Sequence, residues 1–160
     1  MKNIGLSLAA LVLLLAMPIG AAAADTFSIL SFDNGYAPAY NLQTGNWNVA
    51  SEFSLNVQVA DPLSASFVLI NGDGTIVPNY KLLRLNYQIL DRARLGAMIG
   101  SSGTNLVSGL GFDVVAFRKK FQDAIASEFK LQINYLFQPA VAPGISGGLL
   151  FFGLAFSIGV

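Results

Sequence analysis

The chain has 160 residues, 54% hydrophobic and only 11% charged, with nine basic and nine acidic side chains and no net charge. Soluble domains carry about 25% charged residues, so part of this surface is built to meet something other than water, and the lack of a basic excess argues against nucleic-acid binding. Neither cysteine nor histidine occurs, which excludes disulfides, thiolate chemistry, lipid attachment at a cysteine, His-based triads and His-ligated metals.

Residues 1–24 have the three parts of a secretory leader. Lys2 precedes an apolar run from Ile4 to Ile19, and the small residues Ala21 to Ala24 come next, before the polar Asp25 and Thr26. Ala22 and Ala24 suit the small-residue cleavage positions. The run is shorter than the ~20 residues a spanning helix prefers, which favours cleavage over a retained anchor. The expected mature chain is 25–160, a single domain without a Ser-rich or Pro-rich linker.

The period that runs through this domain is two. Residues 26–36 are strand-like in composition without a clean face. In 46–60 the odd positions Trp47, Val49, Phe53, Leu55, Val57 and Val59 are large and apolar, whereas Asn48, Ala50, Glu52, Ser54, Asn56 and Gln58 are small or polar. Side chains alternate faces along a strand, so this one has an apolar and a polar face. Residues 63–70 again read as strand without a clear face. Residues 81–90 set Leu83, Leu85, Tyr87 and Ile89 against Arg84, Asn86 and Gln88; residues 94–100 set Leu95, Ala97 and Ile99 against Arg94, Gly96 and Gly100. Residues 105–117 oppose Leu106, Leu110, Phe112 and Val114 to Asn105, Gly109, Gly111 and Asp113, and 125–137 oppose Ile125, Phe129, Leu131 and Ile133 to Glu128, Lys130, Gln132 and Asn134. At the end, Phe152, Leu154, Phe156, Ile158 and Val160 face away from Gly153, Ala155, Ser157 and Gly159. That predicts eight strands. Ala60-Asp61-Pro62, Leu90-Asp91-Arg92 and Asn71-Gly72-Asp73-Gly74 read as turns between antiparallel neighbours. Asp73 lacks the spaced oxygen ligands of a calcium loop.

The charges decide which face looks inward. Glu52, Arg84, Arg94, Asp113, Glu128 and Lys130 all fall on polar faces within predicted strands. As a water-facing coat these six would be sparse. As the filling of a narrow eight-stranded barrel they are sensible, because opposite charges neutralise one another and small residues leave room for them. Lys81 is the exception on the apolar parity, at a strand end where it can snorkel. The expected fold is therefore all-β, an eight-stranded antiparallel up-and-down transmembrane β-barrel with apolar side chains toward lipid and a polar interior. With the mature N-terminus in the periplasm, loops near 34–45, 71–79, 101–104 and 138–147 lie outside, and turns near 61, 91–92 and 118–123 lie inside. Tyr36, Tyr40, Trp47, Tyr80 and Tyr135 then form an outer interfacial aromatic girdle, while Phe27, Phe117, Phe121 and Phe129 gather at the inner end.

With this pattern the chain resembles the small eight-stranded bacterial outer-membrane barrels of the OmpA/OmpX type over essentially all of 25–160. The resemblance implies location in the outer membrane of a diderm bacterium, contact with outer-membrane lipid, and transient recognition by the barrel-assembly machinery. In that family the last strand alternates apolar residues and ends in an aromatic; here Phe152, Leu154, Phe156 and Ile158 keep the alternation, and Val160 replaces the aromatic. No periplasmic peptidoglycan-binding domain is expected. The expected role is structural, surface-interaction or small-solute (porin-like), as a monomer without cofactor or metal.

Catalytic patterns fail on chemistry. Gly144-Ile145-Ser146-Gly147-Gly148 has the spelling of a nucleophile elbow, which needs a following helix and a histidine base. Ser127 and Lys130 have S-x-x-K spacing, yet residues three apart on a strand point to opposite faces. Glu52 and Glu128 could pair for acid–base work, but with three bases on the same face an ion-pair network is the expected arrangement. The alternative to a membrane barrel is a soluble periplasmic lipocalin-like barrel that holds an apolar ligand, which shows the same alternation turned inside out.

Overall fold

The computed structural model describes residues 29–74, 77–122, 125–138 and 147–160, so the expected leader, 1–24, lies outside the described residues. Among the described residues there are eight strands and no helix: β1 (Leu30–Asn41), β2 (Trp47–Ala60), β3 (Leu63–Asn71), β4 (Tyr80–Leu90), β5 (Ala93–Ser102), β6 (Asn105–Gln122), β7 (Ile125–Gln138) and β8 (Gly147–Gly159). Each pairs antiparallel with its chain neighbours, and β1 closes on β8 to make a barrel in the order β1 to β8. Closure leaves no unpaired edge, so every strand has a ladder on both sides. Phe32, for example, is opposite Leu55 of β2 and Ile158 of β8, which sets one outward apolar row across three strands.

The two ends of the barrel differ. The connections Asp61–Pro62 and Asp91–Arg92 are tight, and they share one end, the terminus end, with the start of β1 and the finish of β8. The opposite end, the loop end, carries the longer connections 42–46 and 72–79.

Two elements depart from the expected bounds. The strand expected over 26–36 runs instead from Leu30 to Asn41, through residues expected to begin a loop. Its Asn34, Gly35 and Pro38 look like turn residues, but the interior needs small side chains here, and Gly35, Ala37 and Ala39 face inward and are buried. The ladder to β8 skips Ala37 and Pro38 before resuming at Ala39, as expected where proline offers no N–H. The turn expected at 118–123 is largely strand: β6 continues to Gln122. A bulge between Val115 and Phe117 inserts Ala116 and reverses the parity of β6 as far as a second register shift between Lys120 and Gln122, so Arg118 turns inward beside Glu128 and Phe117 turns outward beside Phe129.

Tyr80 corrects the expected girdle. It shares the inward parity of Leu82 and Arg84, is 1% exposed, and meets Phe151 edge-to-face at 6.2 Å inside the barrel. Tyr36 and Trp47 face outward and are exposed, and Tyr40 and Tyr135 are partly exposed. Tyr40, Trp47 and Phe152 stack in sequence on the outer wall, with ring centroids 4.9 and 5.8 Å apart.

Candidate functional site: the barrel interior

The interior is divided along its length. Toward the loop end, Ile70, Leu82, Leu136, Leu149 and Phe151 pack with Tyr80 into a solvent-free apolar plug. Val77, from the β3–β4 connection, folds into the same cluster. Its placement comes from Asp73, which accepts the Val77 N–H at 3.0 Å and also accepts from the Asn48 side chain of β2. The residue considered as a calcium ligand therefore fastens a loop.

Toward the terminus end the filling is charged. All six sequence-predicted residues, Glu52, Arg84, Arg94, Asp113, Glu128 and Lys130, face inward, and five of them are joined by ion pairs. Arg84 Nη2 donates to Asp113 Oδ1 at 2.7 Å. Glu128 gathers three cations: Arg118 at 2.8 Å, Arg94 at 3.4 Å and Lys130 at 3.6 Å. Lys130 Nζ also donates to both Asp33 oxygens, at 3.0 and 2.9 Å.

Three of these links skip a strand. Arg84 to Asp113 joins β4 to β6, Arg94 to Glu128 joins β5 to β7, and Lys130 to Asp33 joins β7 to β1. They brace the barrel across its interior, where the backbone ladders connect only adjacent strands. Room for the largest of them comes from glycine. A methyl group at Gly111 would lie 2.7 Å from Arg84 Nη2, and one at Gly96 would collide with Arg84 Nε, so two wall positions without a Cβ form the slot for the guanidinium.

Glu52 stands apart. It is 3% exposed, and neither carboxylate oxygen has a hydrogen-bond partner among the described residues. The acid–base partner weighed from the sequence, Glu128, is engaged with three cations. Two members of the network escape the sequence pattern. Asp33 shares parity with Gly35, Ala37 and Ala39, a signal hidden by placing the strand at 26–36. Arg118 reads as a turn residue because the Ala116 bulge is invisible to a strict two-residue period.

Between the ion pairs lies a polar cavity of about 20 Å³, bordered by Asn56, Ser66, Asn86, Arg94 and Gln132 among others. That is room for roughly one water molecule. The catalytic spellings add nothing here. Ser127 is in register with the outward Ile158, opposite in facing to Lys130, and residues 144–146 of the elbow-like segment lie outside the described residues. The C-terminal residues Phe152, Leu154, Phe156, Ile158 and Val160 are all exposed on the outward face of β8 or at its end. Comparison with protein-family models, curated proteins and solved structures finds no match for the chain.

Proposed function

We propose that the chain is an integral outer-membrane β-barrel protein of a diderm bacterium with a structural or surface-interaction role and no catalytic step. The observation that carries this reading is the polarity of the two faces. Phe32, Phe53, Leu83, Leu131, Leu154 and Phe156 are exposed on the outside of the wall, while the ion pairs are inside it. A water-soluble barrel that exposed this much contiguous apolar surface would aggregate. In lipid the same surface is the solvated one. Every strand has at least 9 residues, enough for the ~9–11 a tilted strand needs to cross the hydrocarbon.

The same barrel closure is compatible with a soluble lipocalin-like protein, whose ligand would occupy an apolar interior. Here the apolar part of the interior is filled by its own side chains, Tyr80 and Phe151 among them. That packing, with a polar cavity of about 20 Å³ beyond it, also supports a structural role over the passage of solutes. The partners in this reading are outer-membrane lipid and, during biogenesis, the assembly machinery, for which the alternating outward residues of β8 are the candidate signal.

Trp47 supplies the test, because it is the chain's one tryptophan and is exposed on the outer wall at the loop end. Refolded into vesicles, the protein should migrate differently on gels with and without heating, and Trp47 emission should be quenched by lipids labelled near the headgroup. A folded, monomeric protein obtained in buffer without detergent or lipid would overturn the proposal.

A further inference from the structure

One part of the outer wall is a groove and not a smooth face. It has a volume of about 390 Å³ and crosses β2 to β5. Its floor is a register row in which Ala65 is opposite Leu85 and Leu85 is opposite Ala97, so two of three positions are small. The adjoining row, Phe67–Leu83–Ile99, is bulky and forms its rim on the loop-end side. Arg84 and Ser66 border the groove between these outward positions while their side chains point inward to the polar network.

Two residues beyond Leu83, toward the loop end and on the same face, is Lys81. At ~3.3 Å per residue its Cα is roughly 7 Å from the rim row. It is exposed and forms no ion pair among the described residues. Glu52, Arg84, Arg94, Asp113, Glu128 and Lys130 all point inward, so a cation on the outside of this wall is unusual in the barrel. It also sits where the wall turns polar, since its row neighbour on β5 is Ser101 and the next outward position on β3 is Asn71.

From the groove and the ammonium at its head we propose a binding site for one anionic diacyl phospholipid, an acyl chain in the groove and its phosphate on Lys81. One groove and one cation match one chain and one phosphate. The site rests on the membrane reading above, and the apolar floor with a cation at the polar boundary matches such a lipid at both ends. Lys119, exposed at the other end of β6, rests over the Phe121 ring at 5.1 Å and serves as the comparison cation.

The test is native mass spectrometry of the full chain folded in detergent micelles, with phosphatidylglycerol or phosphatidylcholine added. One phosphatidylglycerol should remain bound after phosphatidylcholine has been lost. Lys81→Gln should lower its retention about fivefold, the effect of one cation at a lipid phosphate. Ala65→Leu, which fills the floor from outside the barrel, should lower retention of both lipids, and Lys119→Gln should leave it unchanged. Failure of the chain to fold in micelles or vesicles would refute the membrane reading and the site together. A folded barrel that binds the two lipids alike, that ignores Lys81→Gln and Ala65→Leu, or that forms a dimer in place of the lipid complex would refute the site alone.

Discussion

Glu52→Gln should stabilise the protein. Both Glu52 oxygens are buried without a donor, and the cations around the network are committed elsewhere, Arg84 to Asp113 and Lys130 to Asp33 and Glu128. An unsatisfied buried polar group costs about 1–3 kcal/mol, and more if charged. The amide keeps nearly the same shape and removes the charge, while the residual attraction of the neighbouring cations for the carboxylate is lost. A net gain of about 1–2 kcal/mol remains. With a urea dependence of about 2 kcal/mol per molar, the unfolding midpoint should rise by about 0.5–1 M. The assay is equilibrium unfolding in lipid vesicles, monitored by Trp47 fluorescence. Glu128→Gln is the necessary contrast, because it takes the carboxylate from Arg94 and Arg118 and leaves Lys130 with Asp33 as its acid, and loss of one partner from a buried pair costs about 3–5 kcal/mol. If Glu52→Gln lowered the midpoint as far as Glu128→Gln does, the isolation of Glu52 would be wrong.

Arg84→Met should destabilise by about 3–5 kcal/mol by leaving Asp113 buried and unpaired, and adding Asp113→Leu should recover most of the loss; a double-mutant cycle in the same unfolding assay measures the coupling. Phe151→Ala should cost about 3–5 kcal/mol by opening a cavity in the plug against Tyr80, seen as a lower unfolding midpoint. Insertion of one alanine between Phe117 and Arg118 should turn Arg118 outward, away from Glu128, so that hydrogen exchange speeds up in the turn-side part of β6 and β7 while β1 to β4 stay protected; deletion of the unpaired Ala116 should instead keep Phe117 outward and Arg118 on Glu128.

Eight strands and most of their faces are legible because a barrel wall imposes a two-residue period, and a one-residue slip would turn every side chain over. The six interior charges come from that parity alone. Tyr80 is misplaced by residue type: an aromatic beside a loop suggests the interface, although its parity matches Arg84. Parity decides facing, and an interior wide enough at the loop end accepts a ring. Asp33 escapes notice because turn-forming residues serve β1 as small wall positions. Arg118 escapes because one inserted residue reverses the period, and no local signal at Ala116 announces it. The pairing of particular charges is illegible for a different reason, since the links skip a strand and depend on barrel diameter and glycine slots rather than on neighbours.

The division of the interior has a consequence for how such a barrel would enter a bilayer. In the membrane reading, a barrel inserting loop end first leads with Ala37, Ala39, Ile70, Leu136 and Phe151 on its inner surface, so the lumen of the half that must traverse the full hydrocarbon thickness is apolar. The ion-paired residues trail behind it and come to rest on the side of entry. None of Arg84, Arg94, Arg118 or Lys130 would have to be carried across, whereas entry by the opposite end would drag all four through the core. If the barrel spans a membrane as proposed, the placement of charge within its lumen would favour insertion by the loop end.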